Sequence, residues 1–106
     1  MFRGDVWDTQ FPAPIGKRPC VVITTSTLTS KLGAITVAEI TSIEGPPFTH
    51  VPVGPDAGLT GREQSWINVT GLHTVPRPKL HRWRGRLSPG ELDSLNEALR
   101  LYLDLD

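Results

Sequence analysis

Among the 106 residues of this chain there is one cysteine, Cys20. A lone cysteine excludes an intramolecular disulfide and, by itself, any thiolate metal site. Set inside the apolar run "PCVVI", it reads as a small buried thiol and not as a nucleophile. Net charge is also lacking, since eleven Lys and Arg balance eleven Asp and Glu. No apolar run is long enough to span a bilayer. Glycine-rich phosphate loops, dinucleotide fingerprints, low-complexity tracts and internal repeats are all missing. The three histidines, His50, His73 and His81, share no short ligand spacing, so no metal and no cofactor is expected. The opening "MFRGDVWD" carries a charge at its third residue and no apolar stretch. It does not read as a secretory signal, and a cytoplasmic chain is expected. In that setting the sequon "NVT" at Asn68 to Thr70 has no bearing.

What is present is unevenly placed. Residues 77 to 86, "RPKLHRWRGR", hold five of the eleven cations, and residues 91 to 106 hold five of the eleven acids. The neutral total therefore conceals a basic segment beside an acidic one. The length suits one small domain over residues 1–106, and ten glycines with ten prolines imply many turns.

Alternation and β-branching predict mainly β structure. "DVWDTQF" is a first strand, and the prolines of "PAPIG" make a loop. "PCVVITT" is a buried strand, "STLTSKLG" a loop with one helical turn, and "AITVAEITSI" (Ala34 to Ile43) a central strand. "FTHVPV" is shorter and suits an edge because of Pro52. "SWINVTGLHTV" is broken at Gly71, where a bulge or bend is expected. "LHRWRGRL" puts Trp83 and Leu87 on one side and Arg82, Arg84 and Arg86 on the other. That arginine stripe suits either a solvated outer face or an anion-binding one. Trp66 and Trp83 fall at inward positions and are read as core. The helix comes last. Ser88 caps it, Pro89 opens it and Glu91 completes a capping box. Leu92, Leu95, Ala98, Leu99 and Tyr102 then give it one apolar face. Five to seven short strands in a small barrel, with a C-terminal amphipathic helix, are expected.

Three features could carry chemistry. Arg18 stands before Pro19 at the mouth of a strand, beside Lys17. Thr41 and Ser42 lie near the end of the central strand. His73 belongs to the residue type best suited to proton transfer near neutral pH. Taken alone, these residues imply a small β-barrel able to bind an anion.

The order of motifs carries more. "RGDVW", "RPCVVI", "VAEITS", "HVPV", "SWINV", "LHTV" and "GRLSPGELDSLNEALRLYL" together resemble the MazF/PemK-type toxins, over nearly the whole chain. The resemblance implies an SH3-like β-barrel forming a homodimer, related in fold to the CcdB gyrase poison. It also implies the toxin half of a bacterial type II toxin–antitoxin pair, acting in the cytoplasm. Such toxins cut single-stranded RNA at short sequences without a metal, leaving a cyclic phosphate and a 5′-hydroxyl. A disordered MazE-like antitoxin tail blocks the RNA groove. Mapped onto this chain, the catalytic arginine is Arg18 and the catalytic threonine Thr41. Asp5, Lys17, Ser42, Arg77 and Lys79 are the expected RNA contacts, and Trp7 suits either groove or core. Two departures stand out. The loop "PAPIGK" is short and lacks the common Glu-Gln-Gly stretch. Gly71, Leu72 and His73 occupy positions where many members carry Gln, a hydrophobic residue and Arg, so His73 becomes a candidate acid or base. A gyrase-poisoning toxin and an inactive antitoxin-binding relative are the alternatives.

Overall fold

Strand parity divides the apolar residues of this chain between two cores, and that division places everything else. The computed structural model describes residues 1–59 and 64–106. Six antiparallel strands are β1 (Asp5–Gln10), β2 (Lys17–Val22), β3 (Ala34–Thr41), β4 (His50–Val53), β5 (Ser65–Pro76) and β6 (Leu80–Arg86). They form one sheet in the order β4-β5-β3-β2-β1-β6. Two helices accompany them, the single turn α1 (Ser26–Thr29) and the long α2 (Pro89–Leu103). None among the described residues is long and apolar enough to cross a membrane.

One face of the sheet, with Val6, Val21, Ala38, Ile40, Ile67 and Val69, packs against Leu95, Ala98 and Leu99 of α2. Residues of opposite parity, Cys20, Val22, Ile35, Val37 and Val75, join Phe11 and Leu80 in a second cluster on the other face. Because successive side chains point to opposite faces, β2 reads as a continuous apolar run while feeding both cores.

The capping box at α2 forms as its residues require. Ser88 Oγ accepts from the Glu91 backbone N–H at 3.1 Å, and Glu91 Oε1 accepts from the Ser88 N–H at 2.8 Å. The other carboxylate oxygen, Oε2, accepts from the Gly54 N–H at 2.7 Å, pinning the helix start to the end of β4. The last turn departs from expectation: Tyr102 is 46% exposed, although it keeps helical spacing with the buried Leu95 and Leu99.

The barrel is not closed by a ladder. β4 and β6 end the sheet and share no pairing. Their ends are joined by packing, through the 3₁₀ turn at Pro55–Ala57 that follows β4. A Cβ on Gly85 would stand 2.6 Å from the Ala57 backbone, and one on Gly58 would stand 2.0 Å from the Arg84 carbonyl oxygen. Only glycine allows so close an approach at both positions.

Other boundaries shift modestly. β2 begins at Lys17, ahead of the expected Pro19, and β3 ends at Thr41, short of Ile43. β6 departs furthest from its expected alternation. Its register against β1 slips twice, between Val6 and Trp7 and between Asp8 and Thr9. The arginine stripe is broken as a result. Trp83, expected in the core, is 52% exposed. Arg84 turns inward instead, its Nη1 lying 3.0 Å from Asp8 Oδ1 and its Nε donating to the Gly58 carbonyl. Arg86 donates to Asp5 through Nε at 3.0 Å. Two cations of the basic segment are thus engaged by the buried carboxylates of β1.

Removing Arg84 leaves the buried Asp8 without its charge partner. Arg84→Ala should lower unfolding stability by about 3 to 5 kcal/mol, measured by urea denaturation. A loss under about 1 kcal/mol would mean that the pair does not hold β6 in place.

Candidate active site

The second face of the sheet changes character along its length. β2 and β3 pair with Cys20 opposite Glu39, Val21 opposite Ala38 and Val22 opposite Val37. Just beyond this ladder, the start of β2 and the end of β3 bring Arg18 and Thr41 to one opening. Arg18, Glu39 and Thr41 share the parity of Cys20, Val22 and Val37, so the apolar cluster continues into polar groups on that face. Pro19 lies outside the β2–β3 ladder, where a missing N–H removes none of its rungs. Lys17, Arg18, Thr41 and Ser42, with Ile15, Ile40 and Ile43, line an open concavity of about 250 Å³.

Within it the donors remain available. Thr41 Oγ1 accepts from the Ile43 N–H at 3.1 Å, which leaves its own hydroxyl proton to donate outward. Lys17 and Ser42 are exposed. Arg18 is held loosely, its Nε lying 3.5 Å from the Ile15 carbonyl and its Nη1 lying 3.7 Å from Glu39 Oε1. The latter is an ion-pair distance without a hydrogen bond, so the guanidinium is drawn to this place yet not clamped.

Glu39 makes a second contact. Its Oε2 lies 2.6 Å from His73 Nε2. His73 reaches it because it pairs with Val37, whose next neighbour on the same face of β3 is Glu39. Just beyond, the ladder is offset. The pairing steps from Ala38 opposite Leu72 to Glu39 opposite Asn68, so Val69, Thr70 and Gly71 are left over on β5. The bend expected at Gly71 is this bulge. A Cβ on Gly71 would meet Glu39 Oε2 at 2.8 Å, so a side chain here would displace the carboxylate. On its other side the His73 ring tilts against Phe11, with centroids 4.7 Å apart. His73 and Phe11 also line a neighbouring concavity of about 330 Å³ with Gln10 and Lys79.

The fold thus gathers Arg18, Lys17, Thr41 and Ser42 at one concavity and His73 and Lys79 at its neighbour, with Glu39 between them. Two expected contacts do not join them. Asp5, expected to face RNA, is only 3% exposed; it accepts from the Phe2 N–H and from Arg86, and holds the N-terminal turn. Arg77 donates through Nη2 to the carbonyls of Thr29 and Leu32, tying β5 to the end of α1. Trp7 is half-buried and packs on the second cluster, and Trp66 is half-buried. Glu39 escaped sequence reasoning. Its only local signal was an acid in the apolar strand "VAEIT". Among the described residues no group of three metal-ligating side chains occurs. A larger groove, about 810 Å³, lies between α2 and β4 and shares no lining residue with the concavity at Arg18.

A profile of the PemK-like, MazF-like toxins of type II toxin–antitoxin systems matches residues 2–103. The chain belongs to this family. It is similar to a probable endoribonuclease MazF2 of Mycobacterium tuberculosis, with 30% identity over 105 residues, covering 94% of this chain and 95% of that protein. Among solved structures, the Mycobacterium tuberculosis toxin MazF-mt6 superposes with a TM-score of 0.81 at 28% identity, covering 96% of this chain and 98% of that one. A mycobacterial endoribonuclease solved with its cognate antitoxin gives 0.84 at 19% identity, covering 100% and 97%, which bears on the fold alone.

In this MazF-like chain Cys20 forms the apolar floor next to Glu39. Burial, reinforced by the Asp8 charge and opposed by a backbone hydrogen bond at Trp7, pushes its thiol up to about 12. The thiolate is therefore scarce at neutral pH, which removes Cys20 as a nucleophile. Folded Cys20 keeps its proton where the unfolded thiol, ionising near 9.0, loses it. Stability from this group is complete below about pH 9 and falls as pH rises toward 12. Between pH 8 and pH 10 the wild type should lose about 1 kcal/mol more than Cys20→Ala, measured by urea unfolding. Parallel losses in the two proteins would contradict the shift.

Proposed function

We propose that this chain, an endoribonuclease toxin by family, cleaves single-stranded RNA at the concavity that Arg18 of β2 and Thr41 of β3 line together. The placement of a guanidinium, a hydroxyl donor and the flanking Lys17 and Ser42 at one opening carries this reading. A phosphate seated there would take charge-assisted hydrogen bonds from Arg18 and a hydrogen bond from the Thr41 hydroxyl. Both stabilise the extra negative charge that builds on phosphorus in the transition state. Lys17, Ser42 and Lys79 are the remaining RNA contacts, and the exposed Ile43 offers an apolar rim to an unpaired base.

The reaction balances with these groups. The 2′-oxygen attacks phosphorus as its proton passes to His73, the O2′–P bond forms and the P–O5′ bond breaks. The leaving 5′-oxygen is protonated from solvent, since a guanidinium does not release its proton in this range, and the imidazolium returns its proton to solvent. The products are a cyclic phosphate and a 5′-hydroxyl, and no step requires a metal. The chain acts in this reading as a single domain, paired with a second copy, in the bacterial cytoplasm. A cognate antitoxin restrains it, in keeping with the family's description.

Purified protein incubated with mixed-sequence single-stranded RNA in excess EDTA should cleave it. Arg18→Ala and Thr41→Ala should each slow cleavage by about 10²- to 10³-fold while melting like the wild type. Undiminished cleavage by Arg18→Ala would overturn the assignment.

A further inference from the structure

Glu39 touches one lining residue of each concavity, Arg18 of the first and His73 of the second. We propose that Glu39 is a positioning residue for cleavage: it fixes the His73 imidazole in one tautomer and orientation while drawing Arg18 to the same spot. This role rests on the ribonuclease reading of the site.

A carboxylate on this face stands at the edge of an apolar cluster containing Cys20, Val37 and Phe11, and its side chain is only 15% exposed. A charge there is unfavourable unless paired, and Glu39 is paired on both sides. The two contacts differ in kind. The 2.6 Å contact to His73 is a short hydrogen bond, whereas the 3.7 Å approach of Arg18 is an ion pair only. Glu39 therefore orients the imidazole and only attracts the guanidinium, leaving Arg18 able to reach toward a phosphate.

The short contact also decides the proton's place. A carboxylate can only accept, so Nε2 carries the proton and Nδ1 presents its lone pair. That is the state a general base needs, and the carboxylate then stabilises the imidazolium formed when Nδ1 takes a proton. The Phe11 ring on one side and the Gly71 bulge on the other restrict the ring and seat the carboxylate. The charged groups around His73 are Glu39 from β3, Arg18 from β2 and Lys79 from the turn after β5; β1 and the residues following it offer only Gln10 and the Phe11 ring. Glu39 is thus the one acid acting on the ring among them.

The test pairs kinetics with spectroscopy on the whole chain. Nitrogen NMR of the histidine rings should find His73 in the Nε2–H form in the wild type. In Glu39→Gln that preference should disappear, because an amide can meet the ring with either its oxygen or its nitrogen. Glu39→Gln should lower kcat by about 10- to 100-fold with KM within about twofold. It should also flatten the limb of the kcat–pH profile that His73→Ala removes. Glu39→Gln combined with His73→Ala should lose far less than the product of the two single losses, because Glu39 acts mainly through the ring and only attracts Arg18. Gly71→Ala, which keeps every titratable group, should reproduce part of the loss by displacing the carboxylate. Unchanged ring signals, a wild-type kcat in Glu39→Gln, or losses that multiply in the double variant would overturn this role alone. A wild type that leaves the RNA intact would overturn the ribonuclease reading and this role together.

Discussion

The register of β2 against β3 is the constraint on which the rest depends. Cys20 lies opposite Glu39 and Val22 opposite Val37, and Arg18 and Thr41, of the same parity, line one concavity just beyond that ladder. A slip of one residue in β2 would turn Cys20 and Val22 out of the second cluster and send Arg18 toward the helix-side core. The apolar residues that build that cluster therefore also aim the arginine. Packing and placement of the site come from one set of contacts, which is why a two-residue strand opening, Lys17 and Arg18, can be held so close to a core without being buried by it.

Charge is organised by the same economy of space. Asp5 and Asp8 are nearly fully buried on β1, and each is met by an arginine of β6. These pairs satisfy carboxylates whose burial without a partner would be unfavourable. They also engage two cations of the basic segment. Arg77 is engaged by carbonyls near α1. Lys17, Arg18 and Lys79 are the cations left lining the two adjoining concavities. A neutral chain can present a local anion site in this way, because its opposite charges are spent against each other elsewhere.

Much of the fold was legible because local chemistry and tertiary packing agree. β-branched runs became strands, the Ser88–Glu91 box started the helix, and Gly71 marked a bulge. The misreadings cluster where register shifts without a sequence signal. Two slips between β1 and β6 turned Arg84 in and Trp83 out, and strict alternation could not anticipate them. Tyr102 keeps helical spacing with Leu95 and Leu99 but is exposed where they are buried. Asp5 and Arg77 looked like surface groups because their partners, Arg86 and the carbonyls of Thr29 and Leu32, are distant in sequence. Arg18 and Thr41 could be paired through a family resemblance. Glu39 could not, since its contact with His73 spans 34 residues and depends on the pairing of β3 with β5, which puts His73 opposite Val37.

In the proposed reading RNA lies on the second face of the sheet, with a phosphate between Arg18 and Thr41. Amide and side-chain NMR mapping with a mixed-sequence 2′-O-methyl RNA, which can bind but cannot cyclise, would locate it. Shifts centred on Lys17, Arg18, Glu39, Thr41, Ser42 and His73 are expected. Shifts confined to the groove between α2 and β4, with Arg18 and Thr41 unmoved, would contradict it.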